Sequence, residues 1–311
     1  MVLYMRLRIH RDVRRAIYRE RETETYTMSN LIKTADTIEK LRTYIEDWRH
    51  NDYKIALVPT MGALHEGHLS LVELARQSAD KVIVSVFVNP KQFGEGEDLE
   101  QYPRDLSGDL EKMADSGVDL VYAPGADQIY PPGFSTKITV TGVSDGLCSN
   151  TRPHFFDGVA TVVTKLLLQC TPDIAIFGEK DYQQLLVIRR LTIDLGLPVE
   201  IVGAPLIREA DGLALSSRNA YLSPSERETA PLLYRVLNET ASRLIEGLPM
   251  KDALVEAQSI LTTNGFDLDY FELRDALTLE PLEHFEQKPA RLLIAAVLGR
   301  TRLIDNIAVI G

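Results

Sequence analysis

Hydrophobic and polar positions along much of the chain alternate between a helical and an extended period. The apolar residues Ile38, Leu41, Ile45 and Trp48 recur at helical spacing, and the run Lys54–Val58 that follows is rich in β-forming residues. Further strands are predicted at Val82–Val88, Val118–Tyr122, Asp173–Phe177 and Val199–Ile207. Helical patterns lie between most of them, and strands separated by helices predict an α/β domain with a parallel sheet.

The pattern changes after about residue 206. Asp211-Gly212 is a hairpin signal, and Ser223–Glu226 supplies the N-cap, N1 proline and capping-box glutamate of a long helix. Short strands are predicted at Tyr270–Leu273 and within Arg291–Ile310. We therefore predict a smaller α+β domain at the C-terminal end.

The N-terminal segment differs from both domains. Its first 27 residues contain seven arginines and no lysine, with little apolar continuity and no hydrophobic core of a secretory signal. We expect residues 1–28 to form a disordered extension outside the fold.

Composition narrows the class of protein. With 45% hydrophobic and 25% charged residues in 311, the chain has an ordinary globular composition, which excludes a disordered or fibrous protein. The longest apolar runs are far shorter than the roughly 18 residues of a membrane span, so no membrane partner is expected. The two cysteines, Cys148 and Cys170, lack CxxC spacing, which favours a reducing, cytoplasmic compartment over a disulfide scaffold or structural zinc.

The net charge of −11 disfavours non-specific binding to nucleic acid. Any anionic ligand must therefore meet a local cluster of cations.

One such cluster is predicted where the strand at Lys54–Val58 ends. The segment Val58–His68 leads into a helix, and His65 and His68 share a face at the helix start, where unpaired N–H groups favour an anion. Gly62 permits a tight turn, and Gly67 leaves room for a ligand to approach the backbone. The chemistry suggested is phosphate binding, because ligands bind beyond the carboxyl ends of parallel strands.

Two other interpretations of the histidine pair remain. A surface helix without a ligand explains the spacing equally well. Zinc is a weaker alternative, because the pair lacks the HExxH spacing and no third ligand is evident.

A second cluster follows the strand at Asp173–Phe177. Lys180 can extend as a point charge from the start of a helix, while Asp181 is explained by helix capping as well as by ligand binding. Gln92 and Gln184 carry neutral amides, which can hold a carboxylate and hydroxyl groups.

Longer motifs carry a resemblance to a known family. His65-Glu66-Gly67-His68 resembles the HxGH signature of the nucleotidyltransferase superfamily that includes class I aminoacyl-tRNA synthetases. From residue 29 to the C-terminus the chain is similar to the pantoate–β-alanine ligase (pantothenate synthetase) family, through the ordered motifs Pro59–His65, Phe87–Phe93, Tyr102–Arg104, Gly178–Gln184 and Arg302–Asn306.

The resemblance implies both fold and reaction. It implies a Rossmann-like domain at residues 29–206 that binds nucleotide and pantoate, and a C-terminal lid domain at residues 207–311. The reaction implied is ATP-dependent condensation of (R)-pantoate with β-alanine through a pantoyl-adenylate, giving pantothenate, AMP and pyrophosphate. Mg²⁺ would be carried with ATP, no metal site of protein side chains is expected, and the enzyme would be a cytoplasmic homodimer.

The resemblance also implies roles for individual residues. The ATP-binding residues implied are Met61, Gly62, His65, His68, Gly178, Lys180, Asp181, Leu215, Ser216, Ser217 and Arg218. The catalytic residues implied are His65, His68, Lys180, Ser216, Ser217 and Arg218, with His68 as proton donor. Asn89, Gln92 and Gln184 would bind pantoate. Leu215 stands where the family usually has Met.

One motif departs from the family pattern. The family commonly has Arg-Pro-x-His-Phe-x-Gly, but in Thr151–Gly158 Phe155 occupies the histidine position and His154 lies one residue earlier. We expect His154 to be a core or loop residue rather than a catalytic one.

Two other functions remain alternatives at this point. The chain could be another nucleotidyltransferase of the superfamily, acting on a phosphopantetheine or a mononucleotide, or a regulatory protein that holds ATP without turnover. The uncharged Gln92 and Gln184 favour an unphosphorylated acceptor.

The N-terminal extension gives the first testable prediction. A chain that begins at Met28 should keep the melting temperature and turnover of the full chain, because residues 1–27 have no place in the domain pattern. Thermal unfolding and steady-state kinetics of both chains test this, and a large loss of either property would show that the segment is integral.

Overall fold

The computed structural model describes residues 32–94, 96–286 and 288–310. The predicted extension at residues 1–28 lies outside these residues. Within them, no helix is long and apolar enough to cross a membrane.

Nine strands form two sheets in the described part of the chain. The parallel sheet contains β1 (Lys33–Ala35), β2 (Ile55–Thr60), β3 (Lys81–Val86), β4 (Leu120–Tyr122), β5 (Ile174–Gly178) and β6 (Glu200–Ala204). The antiparallel sheet contains β7 (Phe266–Asp275), β8 (Ala290–Leu298) and β9 (Thr301–Val309). A Rossmann-like parallel sheet followed by a smaller α+β unit is thus confirmed as the fold class.

Helices connect these strands. They are α1 (Ile38–His50), α2 (Glu66–Ser78), α3 (Leu106–Met113), α4 (Ala126–Ile129), α5 (Cys148–Thr151), α6 (Phe155–Cys170), α7 (Tyr182–Asp194), α8 (Pro224–Thr229), α9 (Leu232–Ile245) and α10 (Met250–Thr263). Three short 3₁₀ turns at Pro90–Gln92, Glu179–Asp181 and Ser217–Tyr221 follow β3, follow β5 and precede α8.

The strand order in the parallel sheet is β1-β4-β3-β2-β5-β6. The chain runs outward from β2 through β3 to β4, then crosses back and continues on the other side of β2 with β5 and β6. This reversal beside β2 is a topological switch point, where a crevice opens at the carboxyl ends of the strands.

Apolar clusters cover both faces of the parallel sheet. Leu57 and Ile83 face one cluster with the apolar side of α6, and Val58 and Val84 face the other with α2. A separate cluster joins the antiparallel sheet to α9 and α10. The central strand β2 is therefore held from both sides, which fixes the position of the turn that follows it.

Three elements differ from the sequence-based predictions. The sequence analysis missed β1, in which only Ala35 is buried, and α10, whose buried face includes the small residues Ala253 and Ala257. The long helix predicted after Ser223 is two helices, because Pro231 stands between α8 and α9 and cannot continue a helix. The boundary predicted between residues 206 and 207 stays a prediction.

Candidate active site

A cavity of about 730 Å³ lies at the carboxyl ends of the parallel strands. Its lining includes Met61, His65, His68, Asn89, Gln92, Gly178, Lys180, Asp181, Gln184, Leu215, Ser216, Ser217 and Arg218. These are all the candidate site residues except Gly62, which lies in the turn behind the cavity wall. The fold thus brings together residues that are up to 157 positions apart, from Met61 to Arg218.

The histidine turn and the lysine turn meet because their strands are neighbours. β2 pairs in parallel with β5, with Ala56 opposite Ile174 and Leu57 opposite Ala175. Parallel strands end at the same edge of a sheet, so the histidine turn after β2 and Lys180 after β5 open into one space.

The histidine pair is fixed by the start of α2. His65 is the N-cap, and its Nδ1 accepts a hydrogen bond from Gly67 N at 3.1 Å. His68 reaches back, so that its Nδ1 accepts from His65 N at 3.3 Å. Since each Nδ1 is an acceptor, each neutral ring carries its proton on Nε2. The capping box therefore orients both rings as hydrogen-bond donors.

Gly67 is required by this arrangement. A Cβ on Gly67 would lie 2.9 Å from Cε1 of His65. Gly67 also lines the cavity, so the approach of a ligand to its backbone stays a prediction.

Both histidines are neutral at physiological pH. Burial, followed by the positive charges of Lys180 and Lys112, lowers the pKa of His65 to about 4. Burial, His65, Lys180 and Lys112 together lower the pKa of His68 to about 3. Each ring keeps part of its surface accessible, and both line the cavity.

The C-terminal sheet anchors the backbone of the lysine turn. Asn306 on β9 donates from Nδ2 to the carbonyl oxygens of Glu179 and Lys180, at 3.0 and 2.9 Å. The Glu179 carboxylate pairs with Arg291 on β8 at 3.1 Å. These contacts hold the main chain of Lys180, while its side chain lines the cavity.

Asp181 stands at the N-cap position of α7, but its side chain makes no capping hydrogen bond. Its place in the cavity lining favours ligand binding over the capping role that the sequence left open.

Gln183 and Gln184 have separate roles. Gln183 is buried, and its amide accepts from Cys148 N and donates to the carbonyls of Val143 and Gly146. Gln184 lines the cavity. Gln184, for which the resemblance implies a ligand, thus lies at the cavity, and Gln183 lies in the protein interior.

The amide cluster at the end of β3 is ordered by a chain of hydrogen bonds. Tyr130 donates from its hydroxyl to Oδ1 of Asn89 at 2.7 Å, and Asn89 Nδ2 donates to Oε1 of Gln92 at 3.0 Å. The Nε2 atom of Gln92 contacts Sδ of Met61 at 2.8 Å. Gln92 is therefore oriented before any ligand binds.

The Ser-Ser-Arg segment contacts one of two adjacent acidic residues. Arg218 donates from Nε and Nη2 to the two carboxylate oxygens of Asp98, at 3.1 and 3.0 Å. The adjacent Glu97 holds Arg152 through two hydrogen bonds of 2.6 Å. Sequence analysis missed both acids, because their partners lie 120 and 55 residues away and no local pattern relates them.

The structure shows where the two residues of the unusual motif Thr151–Gly158 lie. Phe155 lines the cavity, and the guanidinium carbon of Arg152 lies 3.9 Å from the centroid of its ring. His154 is exposed in the turn before α6, so it takes the loop position and not the core position of the two that were expected for it.

The described residues contain no group of three His, Cys, Asp or Glu side chains that could hold a metal ion. For the histidine pair, the backbone hydrogen bonds to both Nδ1 atoms further reduce the nitrogens open to a metal.

The six-stranded parallel sheet and the cation-rich cavity at its carboxyl edge define a Rossmann-like α/β protein with a ligand site at the switch point. The family model described as pantoate–beta-alanine ligase matches residues 33–308. The chain therefore belongs to the pantoate–β-alanine ligase family.

Individual relatives agree with this membership. The chain is 54% identical over 276 residues to a pantothenate synthetase of Rhodospirillum rubrum, covering 88% of this chain and 98% of the relative. It superposes on the crystal structure of pantothenate synthetase from Thermus thermophilus with a TM-score of 0.84 and 46% identity, covering 90% of this chain and 100% of that one. It also superposes on a pantoate–β-alanine ligase from Francisella tularensis, crystallised with β-γ ATP and β-alanine. The TM-score is 0.75 and the identity 34%, covering 89% of this chain and 97% of that one.

The histidine pKa values predict how stability depends on pH. In the folded protein the two pKa values, about 4 and about 3, lie below the ordinary histidine value of 6.5. Between these folded values and pH 6.5, the unfolded chain therefore binds more protons than the folded one. This contribution to stability is complete above pH 6.5 and is lost as the pH falls. His68→Gln should therefore flatten the fall in melting temperature between about pH 7 and pH 5.

Thermal unfolding of both proteins across this range tests the prediction. His154→Gln, at the exposed start of α6, is the control and should keep the wild-type slope. An unchanged slope in His68→Gln would contradict the assignment of a neutral, buried ring.

Proposed function

We propose that this protein condenses (R)-pantoate with β-alanine at the expense of ATP, forming pantothenate, AMP and pyrophosphate through a pantoyl-adenylate. The observation that carries the proposal is the composition of one cavity, which combines Lys180, Arg218 and two histidine donors with the uncharged amides of Gln92 and Gln184. The cationic part suits a triphosphate, and the amides suit an unphosphorylated hydroxy acid. Membership of the family supports the same reaction.

The first step is attack of a pantoate carboxylate oxygen on the α-phosphorus of ATP. Asn89, Gln92 and Gln184 hold pantoate, while Gly178, Lys180 and Asp181 bind the nucleotide beside it. Pyrophosphate leaves, and negative charge increases on the bridging and terminal oxygens. Fixed donors and cations around those oxygens lower the barrier without a protein nucleophile.

His65 and His68 act in this step as neutral donors. With pKa values of about 4 and 3, they are not imidazolium acids at neutral pH. The role proposed for His68 thus differs from the proton donor that the resemblance implied: it donates a hydrogen bond from Nε2–H to a phosphate oxygen and releases no proton. The permanent charges come from Lys180 and Arg218, assisted by the hydroxyl groups of Ser216 and Ser217.

The second step is attack of the β-alanine amine on the activated carbonyl carbon, with AMP as leaving group. No described residue is assigned as the general base. Positioning of the amine beside the mixed anhydride supplies the rate enhancement of this step.

Mg²⁺ carried with ATP would neutralise part of the phosphate charge. Of the described carboxylates that line the cavity, Glu97, Asp98, Asp269 and Asp305 each pair with an arginine, and Asp181 does not. The ion would thus be held mainly by phosphate oxygens. We also propose that the enzyme is cytoplasmic and acts as a homodimer, as the family resemblance implies.

Removal of a single charge stabiliser should affect turnover far more than folding. Lys180→Ala and His65→Ala should each lower kcat by about 10²–10³-fold, since each removes a donor directed at phosphate. Steady-state kinetics with parallel melting curves test this. Lys251→Ala, which removes an exposed lysine on α10, is the control and should keep full turnover. Near-normal turnover in a folded Lys180 or His65 variant would refute that residue's role.

The adenylate intermediate makes a prediction about isotopes. Pantoate labelled with ¹⁸O in its carboxylate should deliver one labelled oxygen to AMP, because that oxygen bridges carbon and phosphorus in the mixed anhydride. The enzyme should also exchange labelled pyrophosphate into ATP with pantoate present and β-alanine absent. Mass spectrometry of AMP and the exchange assay measure these outcomes.

Other outcomes distinguish the alternatives. ADP as product, with label in inorganic phosphate, would indicate attack at the γ-phosphorus and overturn the mechanism. Transfer of AMP to a phosphorylated acceptor would indicate a different nucleotidyltransferase. ATP binding without turnover in the presence of pantoate and β-alanine would indicate a regulatory protein.

A further inference from the structure

The turn between β2 and the histidine pair has an unusual backbone. Gly62 and Ala63 both have positive φ, at 81° and 52°. Glycine adopts this region freely, whereas for alanine it costs roughly 1–2 kcal/mol. Such a conformation persists only where surrounding contacts hold it.

Helix α3 supplies those contacts from behind the turn. The carboxylate of Asp109 accepts two backbone hydrogen bonds, from Ala63 N to Oδ2 at 3.0 Å and from Leu64 N to Oδ1 at 2.8 Å. Lys112 Nζ donates to the carbonyl oxygen of Leu64 at 2.8 Å. Helix α3 therefore binds two backbone N–H groups and one backbone carbonyl of the turn that precedes His65.

Asp109 is buried against the turn, and both of its carboxylate oxygens are used by these hydrogen bonds. Only 2% of its surface is exposed, and a Cβ on Gly62 would lie 3.0 Å from its Oδ2 atom. A buried carboxylate is costly unless its oxygens are satisfied, and here two N–H groups satisfy them. Asp109 and Lys112 are not among the described residues that line the cavity. Neither side chain therefore touches a ligand bound there.

We propose that Asp109 and Lys112 are positioning residues, which hold the Gly62–Leu64 turn so that the Nε2–H groups of His65 and His68 point at the reacting phosphate. The capping box depends on this turn, because His65 N is the donor to His68 and directly follows Leu64. A shift of the turn moves both rings together. The catalytic consequence rests on the proposed function, whereas the orientation of the rings does not.

Asp109→Asn tests the proposal with little change of shape. The amide oxygen can accept one N–H, but the amide nitrogen then faces the other N–H and cannot accept it. Lys112→Met is the second variant, which leaves the Leu64 carbonyl without its ammonium partner. Asp173→Asn is the matched control, because Asp173 accepts from Ile55 N at 2.7 Å at the opposite end of β2.

The first readout is catalytic. Asp109→Asn should lower kcat of pyrophosphate–ATP exchange by about 10²-fold, since small misplacements of catalytic groups have effects of this size, while KM for ATP and pantoate changes less than about threefold. Lys112→Met should lower kcat in the same direction. Asp173→Asn, at comparable loss of melting temperature, should keep kcat.

The second readout is spectroscopic and independent of turnover. Imidazole ¹⁵N spectra at neutral pH should show Nδ1 unprotonated in both histidines of the wild type. In folded Asp109→Asn the spectra should show a mixture of tautomers. If the wild type fails to make pantothenate but the ring spectra of wild type and Asp109→Asn differ in this way, the proposed function fails and the positioning role stands.

Three results would overturn the positioning role. They are unchanged ring spectra and kcat in a folded Asp109→Asn protein, an equal loss of kcat in Asp173→Asn, and rescue of Asp109→Asn by raised Mg²⁺. The last would show that the carboxylate acts on a metal ion rather than on the backbone.

Discussion

The parallel pairing of β2 with β5 is the constraint on which the site depends. The pairing places Leu57 opposite Ala175, so the chain leaves both strands at the same edge of the sheet. Neither His65 nor Lys180 could reach a common ligand if these strands were antiparallel or separated by another strand. The apolar residues that bury β2 from both faces therefore determine the geometry of the chemistry, although none of them takes part in it.

Charge in the cavity is arranged in pairs. The protein carries a net charge of −11, yet the cavity holds Lys180 and several arginines whose partners are fixed acids. Arg218 shares two hydrogen bonds with Asp98, and Arg302 donates from Nε to the carboxylate of Asp269 at 2.6 Å. Partners of this kind keep guanidinium groups from moving freely, at the cost of competing with a phosphate for them. In the proposed reaction, an ATP phosphate that binds Arg218 must share it with Asp98, which makes the Ser-Ser-Arg segment sensitive to whether the nucleotide is present.

Sequence patterns predicted the parts of this protein that are set locally. Five of the six strands of the parallel sheet followed from apolar runs, and the His65 and Lys180 turns followed from their positions after strands. The contacts that complete the site were not predictable from pattern, because Asp98, Asp109 and Asn306 contact residues 45 to 127 positions away. Asp109 in particular looks like an ordinary polar residue of a short helix. Its role became visible only when the fold placed it behind two backbone N–H groups.

The neutral histidines explain why the cavity uses two kinds of donor. Burial, followed by nearby positive charges that include Lys180, lowers the pKa of both rings, so a cavity that holds a lysine charge also keeps the imidazoles uncharged. A neutral ring with Nδ1 bound to backbone has a single donor, Nε2–H, with a fixed direction. Lysine and arginine then supply attraction over distance, while the histidines supply direction at close range. In the proposed reaction, the hydrogen bonds from both Nε2–H groups strengthen as negative charge increases on the phosphate oxygens, without any change in the charge of the rings.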